Sequence, residues 1–423
     1  MGSSAPRHWI ILSYFANIDG KAASQHLDDR LPHLRALGVE PLLVSSVCGR
    51  RRTDLAHFTV PSVAPSGVRF ELRYLRRRNR FLKFALLPLY LAVLPFYLLE
   101  KVIINIDSQW SWFPSGFLRG LRLCKTFRPE LVYSTGGPVS AHVGAALLSR
   151  FAKIPWIAEL QDPLVYDSFP RSGTALKINA RIERLILAKA SAVVFLTEGA
   201  MGKALSGSGI SPSRVRIIRP GAAPPDLPPV SWTKGDFCRF AHFGSLGGSR
   251  NLRVFLEALD TIFTADPDLA KIVRFDLYGT MDKLSQKLIS DFKYPGVVTD
   301  FGKVPRRDAV LAMQKSDVLV MIHNLDDFAT YTIPAKIYDY FQVNRPVLGL
   351  VYRNRGLREM LVKYGHFAAE ADSVAETAGC VSEIIKRWGS GDLTGPGWSE
   401  SPFTVRAAVQ SLVALSEEIL AKG

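Results

Sequence analysis

Residues Pro220 to Val230 read PGAAPPDLPPV, five prolines in eleven positions. Proline fixes φ and lacks an amide hydrogen, so this stretch continues neither a helix nor a central strand. The same alternation lies on both sides of it. Before it, strand-like runs fall at His8 to Ser13, Pro41 to Val47, Glu130 to Ser134, Pro155 to Leu160, Ala192 to Leu196 and Val215 to Ile218, with helix-patterned stretches such as Ser24 to Leu37, Ser140 to Phe151 and Leu176 to Lys189 between them. After it, runs near Arg239 to Phe243, Val273 to Tyr278, Val297 to Gly302, Asp317 to Ile322 and Pro346 to Val351 alternate with helical patterns at Asn251 to Phe263, Arg306 to Lys315 and Ala335 to Gln342. Such alternation predicts α/β architecture with doubly wound parallel sheets. The expected organisation is a Rossmann-like domain over 1–222, a Pro-rich linker over 223–235, a second Rossmann-like domain over 236–400, and a C-terminal helix over 401–423 packing back across the junction. In open sheets of this kind ligands lie beyond the carboxyl ends of the strands, so two facing domains predict a cleft between them.

The chain has 423 residues, of which 48% are hydrophobic, and 53 Lys and Arg against 38 Asp and Glu give a net charge of +15. Compositional disorder is excluded. The charge calls for an anionic partner: nucleic acid, a nucleotide phosphate or an anionic membrane face. Cys48, Cys124, Cys238 and Cys380 form no CxxC pair, and the eight histidines are scattered, so neither a zinc site, a disulfide framework nor any bound metal is expected. Met1 to Pro6 is short and polar and leads at once into a strand, which is not the pattern of an export signal; a reducing, cytoplasmic setting is expected.

Between Arg50 and Lys83 ten basic residues face two acids, Asp54 and Glu71. Phe84 to Leu99 (FALLPLYLAVLPFYLL) follows without a charge and holds Pro88 and Pro95. A spanning helix needs about 20 apolar residues and tolerates prolines poorly, so the block over 69–106 reads as lying in an anionic membrane interface. The alternative is a buried helix beside a solvated basic loop. The membrane reading makes the protein peripheral on the inner face of the cell membrane.

Two stretches carry candidate chemistry. In His242 to Leu259 (HFGSLGGSRNLRVFLEAL), Gly244 and Ser245 lie in a glycine-bearing loop whose amides could approach a pyrophosphate, and Arg250 adds a bidentate phosphate contact. The alternative is a plain βα turn. In Ile333 to Leu350 (IPAKIYDYFQVNRPVLGL) a helix follows Pro334, and Lys336 and Asp339 share one face at i, i+3 spacing, as phosphate and ribose contacts or as a surface ion pair.

With Ser134 to Pro163 (STGGPVSAHVGAALLSRFAKIPWIAELQDP), these stretches resemble the GT-B glycosyltransferases, specifically the retaining family four of bacterial surface polysaccharide assembly. The resemblance implies a nucleotide-sugar donor on the second domain, a lipid-linked or growing glycan acceptor on the first, and neither a metal nor another cofactor. By that likeness Asp339 stands for the second acid of the family's Glu-seven residues-Glu pattern, Arg250 and Lys336 for its phosphate contacts, Pro334 for a donor-side residue, and Gly20 for the small-residue loop under the phosphates. Tyr331 stands where the first acid would lie. Asp162, at the end of a strand, is the candidate for the acceptor hydroxyl's proton or an N-cap, Glu159 is the second choice, and His142 is a further helical candidate. Retention without an enzyme nucleophile implies same-face attack, with the leaving phosphate helping to take the proton. Asp266-Pro267-Asp268 matches the DxD of metal-dependent transferases but follows a helix and reads as a surface turn. The competing readings are a nucleotide-sugar 2-epimerase of the same architecture and, less favoured, a nucleic-acid-binding protein, for which the basic cluster lacks interleaved aromatics.

Overall fold

The computed structural model describes residues 7–19, 21–166, 173–206, 208, 212–225, 227–228, 230 and 232–422. Contacts divide the chain into a first unit, Met1–Pro220 with Val405–Gly423, and a second, Gly221–Thr404. The first holds a parallel sheet of β1 (Arg7–Leu12), β2 (Val39–Ser46), β3 (Ala56–Val60), β4 (Leu131–Thr135), β5 (Trp156–Leu160), β6 (Ala192–Phe195) and β7 (Val215–Ile217), in the order β3-β2-β1-β4-β5-β6-β7. The second holds β8 (Cys238–Phe243), β9 (Val273–Tyr278), β10 (Val298–Asp300), β11 (Val318–Ile322), β12 (Val347–Val351) and β13 (Phe367–Glu370), in the order β10-β9-β8-β11-β12-β13.

Helices cover both faces of each sheet, so central strands are continuous apolar runs: VLVMI of β11 and VLGLV of β12 are buried throughout. The strand order reverses between β1 and β4 in one sheet and between β8 and β11 in the other, which places the ligand-binding crevice of each at the carboxyl ends of those strands. The C-terminal helix Val405–Leu420 lies in the first unit against the helix Ala22–Ala36, and Arg7 donates from Nε to Glu130 Oε1 (2.8 Å) and from an Nη to Glu417 Oε1 (2.9 Å).

An insertion runs from the end of β3 to the helix Phe113–Phe127. It comprises helices Pro65–Arg77, Arg80–Ala85, Leu87–Ala92 and Leu94–Ile103. Pro88 and Pro95 each sit in the first turn of a helix, where the missing N–H has no partner to lose, so the apolar run breaks into short pieces there. No residue of the last three helices is buried, and Phe81 and Val102 are 78% and 84% exposed. This overturns the alternative of a buried helix. Two acids fasten the insertion from beneath. Glu71 Oε1 accepts from Ser62 N (3.0 Å), Ser62 Oγ (2.6 Å) and Tyr14 Oη (3.0 Å), while Glu100 accepts from Ser66 N and Trp110 Nε1, both at 2.7 Å. The stretches Arg80–Ala92 and Leu94–Ile103 meet at a 50° bend, and among the described residues no single helix is long and apolar enough to cross a bilayer.

Candidate functional site

In the second unit the switch point between β8 and β11 gathers Gly244, Arg250 and Lys336 around His242. The loop after β8 leaves with Gly244 at φ +121°, and a Cβ there would stand 2.8 Å from Lys336 Nζ. Glycine therefore makes room for the ammonium. His242 Nδ1 donates to Val320 O (2.9 Å), which leaves Nε2 to accept from Lys336 Nζ at 3.5 Å. Burial, reinforced by Lys336, keeps His242 neutral with a pKa well below the ordinary range. Burial, reinforced by Arg250, draws the Lys336 ammonium down to about 7. Arg250 Nε is buried with no hydrogen-bond partner among the described residues, and desolvation lowers its pKa. Neither cation comes within ion-pair distance of an acid among the described residues. The site is thus built to receive negative charge.

The glycine loop contributes less than expected. The amides of Gly244, Leu246 and Gly247 donate to Tyr278 O (2.8 Å), Thr280 O (2.9 Å) and Arg250 O (2.8 Å), and that of Gly248 to Asp282 Oδ2 (2.9 Å). Those amides are occupied in fixing the loop, and the helix begins only at Arg253, so side chains rather than these amides are placed to meet a phosphate. Ser245 is exposed and its Oγ accepts from Thr280 Oγ1 (3.1 Å).

Pro334 O accepts from Ile337 N (3.0 Å) and so starts the helix Lys336–Gln342. Asp339 on that helix accepts from an Arg306 Nη at 3.2 Å, an ion pair with the helix Arg306–Lys315. The loop between β11 and this helix supplies residues that motif spacing missed. His323 directly follows β11, held neutral with a pKa near 4 by burial and by Arg250. Asp326, whose charge acts on Arg250, accepts from Asn324 Nδ2 (2.9 Å) and from Ala329 N (3.0 Å). The adjacent acids Asp326 and Asp327, five and four residues before Tyr331, were the available signal. Asp266 and Asp268 lie on an exposed turn, with Asp268 Oδ1 2.7 Å from Lys271 Nζ.

In the first unit the candidates separate. Glu159, opposite Thr135 in the β4–β5 register, is fully buried; it takes hydrogen bonds from His26 (2.6 Å), Thr135 Oγ1 (2.7 Å) and the guanidinium of Arg30. Desolvation opposes its charge, but Arg30 and His26 prevail and hold the carboxyl far below the usual range. A carboxylate so engaged anchors the strand ends and is a weak base. His142 is also fully buried, with Nδ1 2.8 Å from Ser134 Oγ, and burial lowers its pKa to about 4. It packs beneath the loop after β4. Asp162, just past β5, is exposed. Gly20 lies outside the described residues.

Lys336 predicts a pH dependence. An anion bound beside it raises its pKa, so affinity for an anion there is greatest below about 7 and falls as pH rises through that value, up to tenfold per unit, with one proton taken up per anion above it. Isothermal titration in buffers of different ionisation enthalpy on either side of neutrality measures it, and Lys336→Met removes that proton uptake.

Residues 24–221 match the model of the glycosyl transferase 4-like domain. No curated protein sequence matches the chain. A glycosyltransferase from Rickettsia africae shares 13% identity with a TM-score of 0.67, covering 99% of this chain and 100% of its own. The α,α-trehalose-phosphate synthase (UDP-forming) of Burkholderia vietnamiensis gives 11% and 0.63 with coverages of 99% and 100%, and a UDP-N-acetylglucosamine 2-epimerase from Listeria monocytogenes 10% and 0.56 with 99% and 98%. The fold is the two-sheet α/β arrangement of the GT-B glycosyltransferases, and a glycosyltransferase family signal covers nearly all of the first unit's main segment.

Proposed function

We propose that this chain is a glycosyltransferase that moves a sugar from a nucleotide-diphosphate donor to a hydroxyl of a lipid-linked or growing glycan acceptor, with retention and without a metal. The observation that carries the reading is the Arg250 and Lys336 pair, two desolvated cations held side by side at a strand switch point without an acid in ion-pair reach among the described residues. A diphosphate relieves both desolvation and mutual repulsion. As the bond from the anomeric carbon to the diphosphate oxygen breaks and the acceptor oxygen enters from the same face, charge grows on the leaving phosphate, where these cations stabilise it. The acceptor proton passes to that phosphate, and Asp162 is the first unit's own candidate for holding an acceptor hydroxyl. Because the two side chains supply the positive charge, turnover is expected to survive EDTA. Asp339 is assigned the ribose hydroxyls, Gly244, Ser245 and Pro334 the donor-side walls. The exposed apolar insertion and its arginines support a place on the inner, anionic face of the cell membrane, where a lipid-linked acceptor is found.

The test is titration of UDP, GDP, ADP and dTDP against the full chain. One should bind selectively, and Asp339→Ala should weaken it by about 10- to 100-fold, the worth of hydrogen bonds to a carboxylate. Unchanged affinity removes Asp339 from the site. Epimerised sugar from donor alone, with no acceptor present, would favour the 2-epimerase, whose fold the chain also matches.

A further inference from the structure

Strand β3 and the helix Phe113–Phe127 enclose a groove of about 420 Å³ that contains Arg51, Arg119 and Arg122, with Ser115, Thr59 and His57, and no carboxylate among its lining residues. Ser115, Arg119 and Arg122 fall at i, i+4 and i+7, one face of that helix. The Arg119 guanidinium is stacked 4.1 Å over the Phe58 ring, and its buried Nε has no hydrogen-bond partner among the described residues. Arg51 is pinned through Nε to His57 O (3.0 Å), which leaves its other donors available. His57 adds no charge: Arg52 N donates to its Nδ1 (2.9 Å), Nε2 lies 2.8 Å from Ser45 Oγ, and burial beside Arg52 and Arg51 lowers its pKa to about 4. Among the described residues none of the three arginines is within ion-pair distance of an acid. Three guanidiniums held in one concavity repel one another until an anion joins them, and the planar fork matches phosphate oxygens.

The chain path bears on which anion that is. The insertion of short apolar helices leaves the sheet at Pro61 and returns through Trp112, and Pro61 and Ser115 both line this groove. The groove therefore lies at the root of the exposed apolar helices. We infer that it holds the phosphate or diphosphate of a lipid whose tail lies along those helices. The inference deepens the lipid-acceptor reading above and rests on it.

The test titrates the full chain with inorganic pyrophosphate and with farnesyl diphosphate, in wild type and in R119Q/R122Q, S115E and R250Q/K336Q forms, alongside partition to vesicles containing anionic phospholipid. Ser115→Glu leaves the arginines in place and puts a carboxylate among them, so it remains informative if the double variant is destabilised. Wild type should bind two pyrophosphates per chain, and each variant one. Farnesyl diphosphate should bind the groove more than tenfold tighter than pyrophosphate, an advantage lost in both groove variants while vesicle partition is kept. Unchanged stoichiometry in both groove variants overturns the site. Equal affinity for the two probes makes it a free-phosphate site and overturns the lipid assignment, as does loss of vesicle partition in step with the groove. If R250Q/K336Q still binds two pyrophosphates, the donor-site reading fails and the groove stands.

Discussion

Arg250→Gln should lower kcat by about 100- to 1,000-fold while nucleotide affinity falls much less, since removing one charged donor aimed at developing negative charge costs about 2.7–4 kcal/mol in the transition state. The asymmetry follows from placement. Arg250 Nε is buried with no hydrogen-bond partner among the described residues, so a ligand oxygen can complete its hydrogen bonding, and the demand is greatest when the leaving diphosphate carries most charge. Loss of the side chain should leave the fold intact, because Asp326 keeps the hydrogen bonds from Asn324 and Ala329. Arg250→Lys should recover part of the loss, restoring charge without the two-pronged geometry. Single-turnover kinetics with the nucleotide sugar chosen by titration separate the terms. An unchanged chemical step with a raised KM would reduce Arg250 to a binding group.

The two α/β units were legible because parallel strands buried on both faces are written as unbroken apolar runs, and VLVMI and VLGLV admit little else. Strands β3 and β13 escaped the reading. AHFTV and FAAE end their sheets, are partly open to solvent, and so carry mixed patterns. Lys336 and Arg250 could be singled out by residue type, but their convergence could not. It depends on β8 and β11 being neighbours although the strands are separated by β9 and β10 in sequence, and the same adjacency brings in His242 and His323, which look unrelated in the linear chain. Glu159 shows the opposite failure. A strand-end carboxylate resembles a catalytic one until its partners are known, and the decisive partner is Arg30, a cation on the buried side of the helix Ala22–Ala36 where sequence periodicity would expect an apolar residue. Glycine spacing likewise suggested amides open to phosphate, whereas hydrogen bonds to the next loop occupy most of them.

Replacing Phe81, Phe84, Phe96 and Ile103 together by serine should lower partition to anionic vesicles by roughly 1,000-fold. Burying half of each side chain in the interface is worth about 1 kcal/mol, so four amount to about 4 kcal/mol. The fold has little to lose, because these side chains are 60% exposed or more and pack no core. The structural attachment lies elsewhere, in Glu71 with Ser62 and Tyr14 and in Glu100 with Ser66 and Trp110. Stability in urea should therefore change little while sedimentation with vesicles is abolished. The cations act separately: Arg73, Arg77, Arg80 and Lys83 are exposed, and reversing their charges should remove about 1 kcal/mol each near an anionic surface, an effect that shrinks as salt rises. The apolar contribution is insensitive to salt. The serine variant should thus fail to bind at any ionic strength, and the charge variant should resemble wild type once salt has screened both. Vesicle binding retained in both variants would mean that the apolar helices serve another partner.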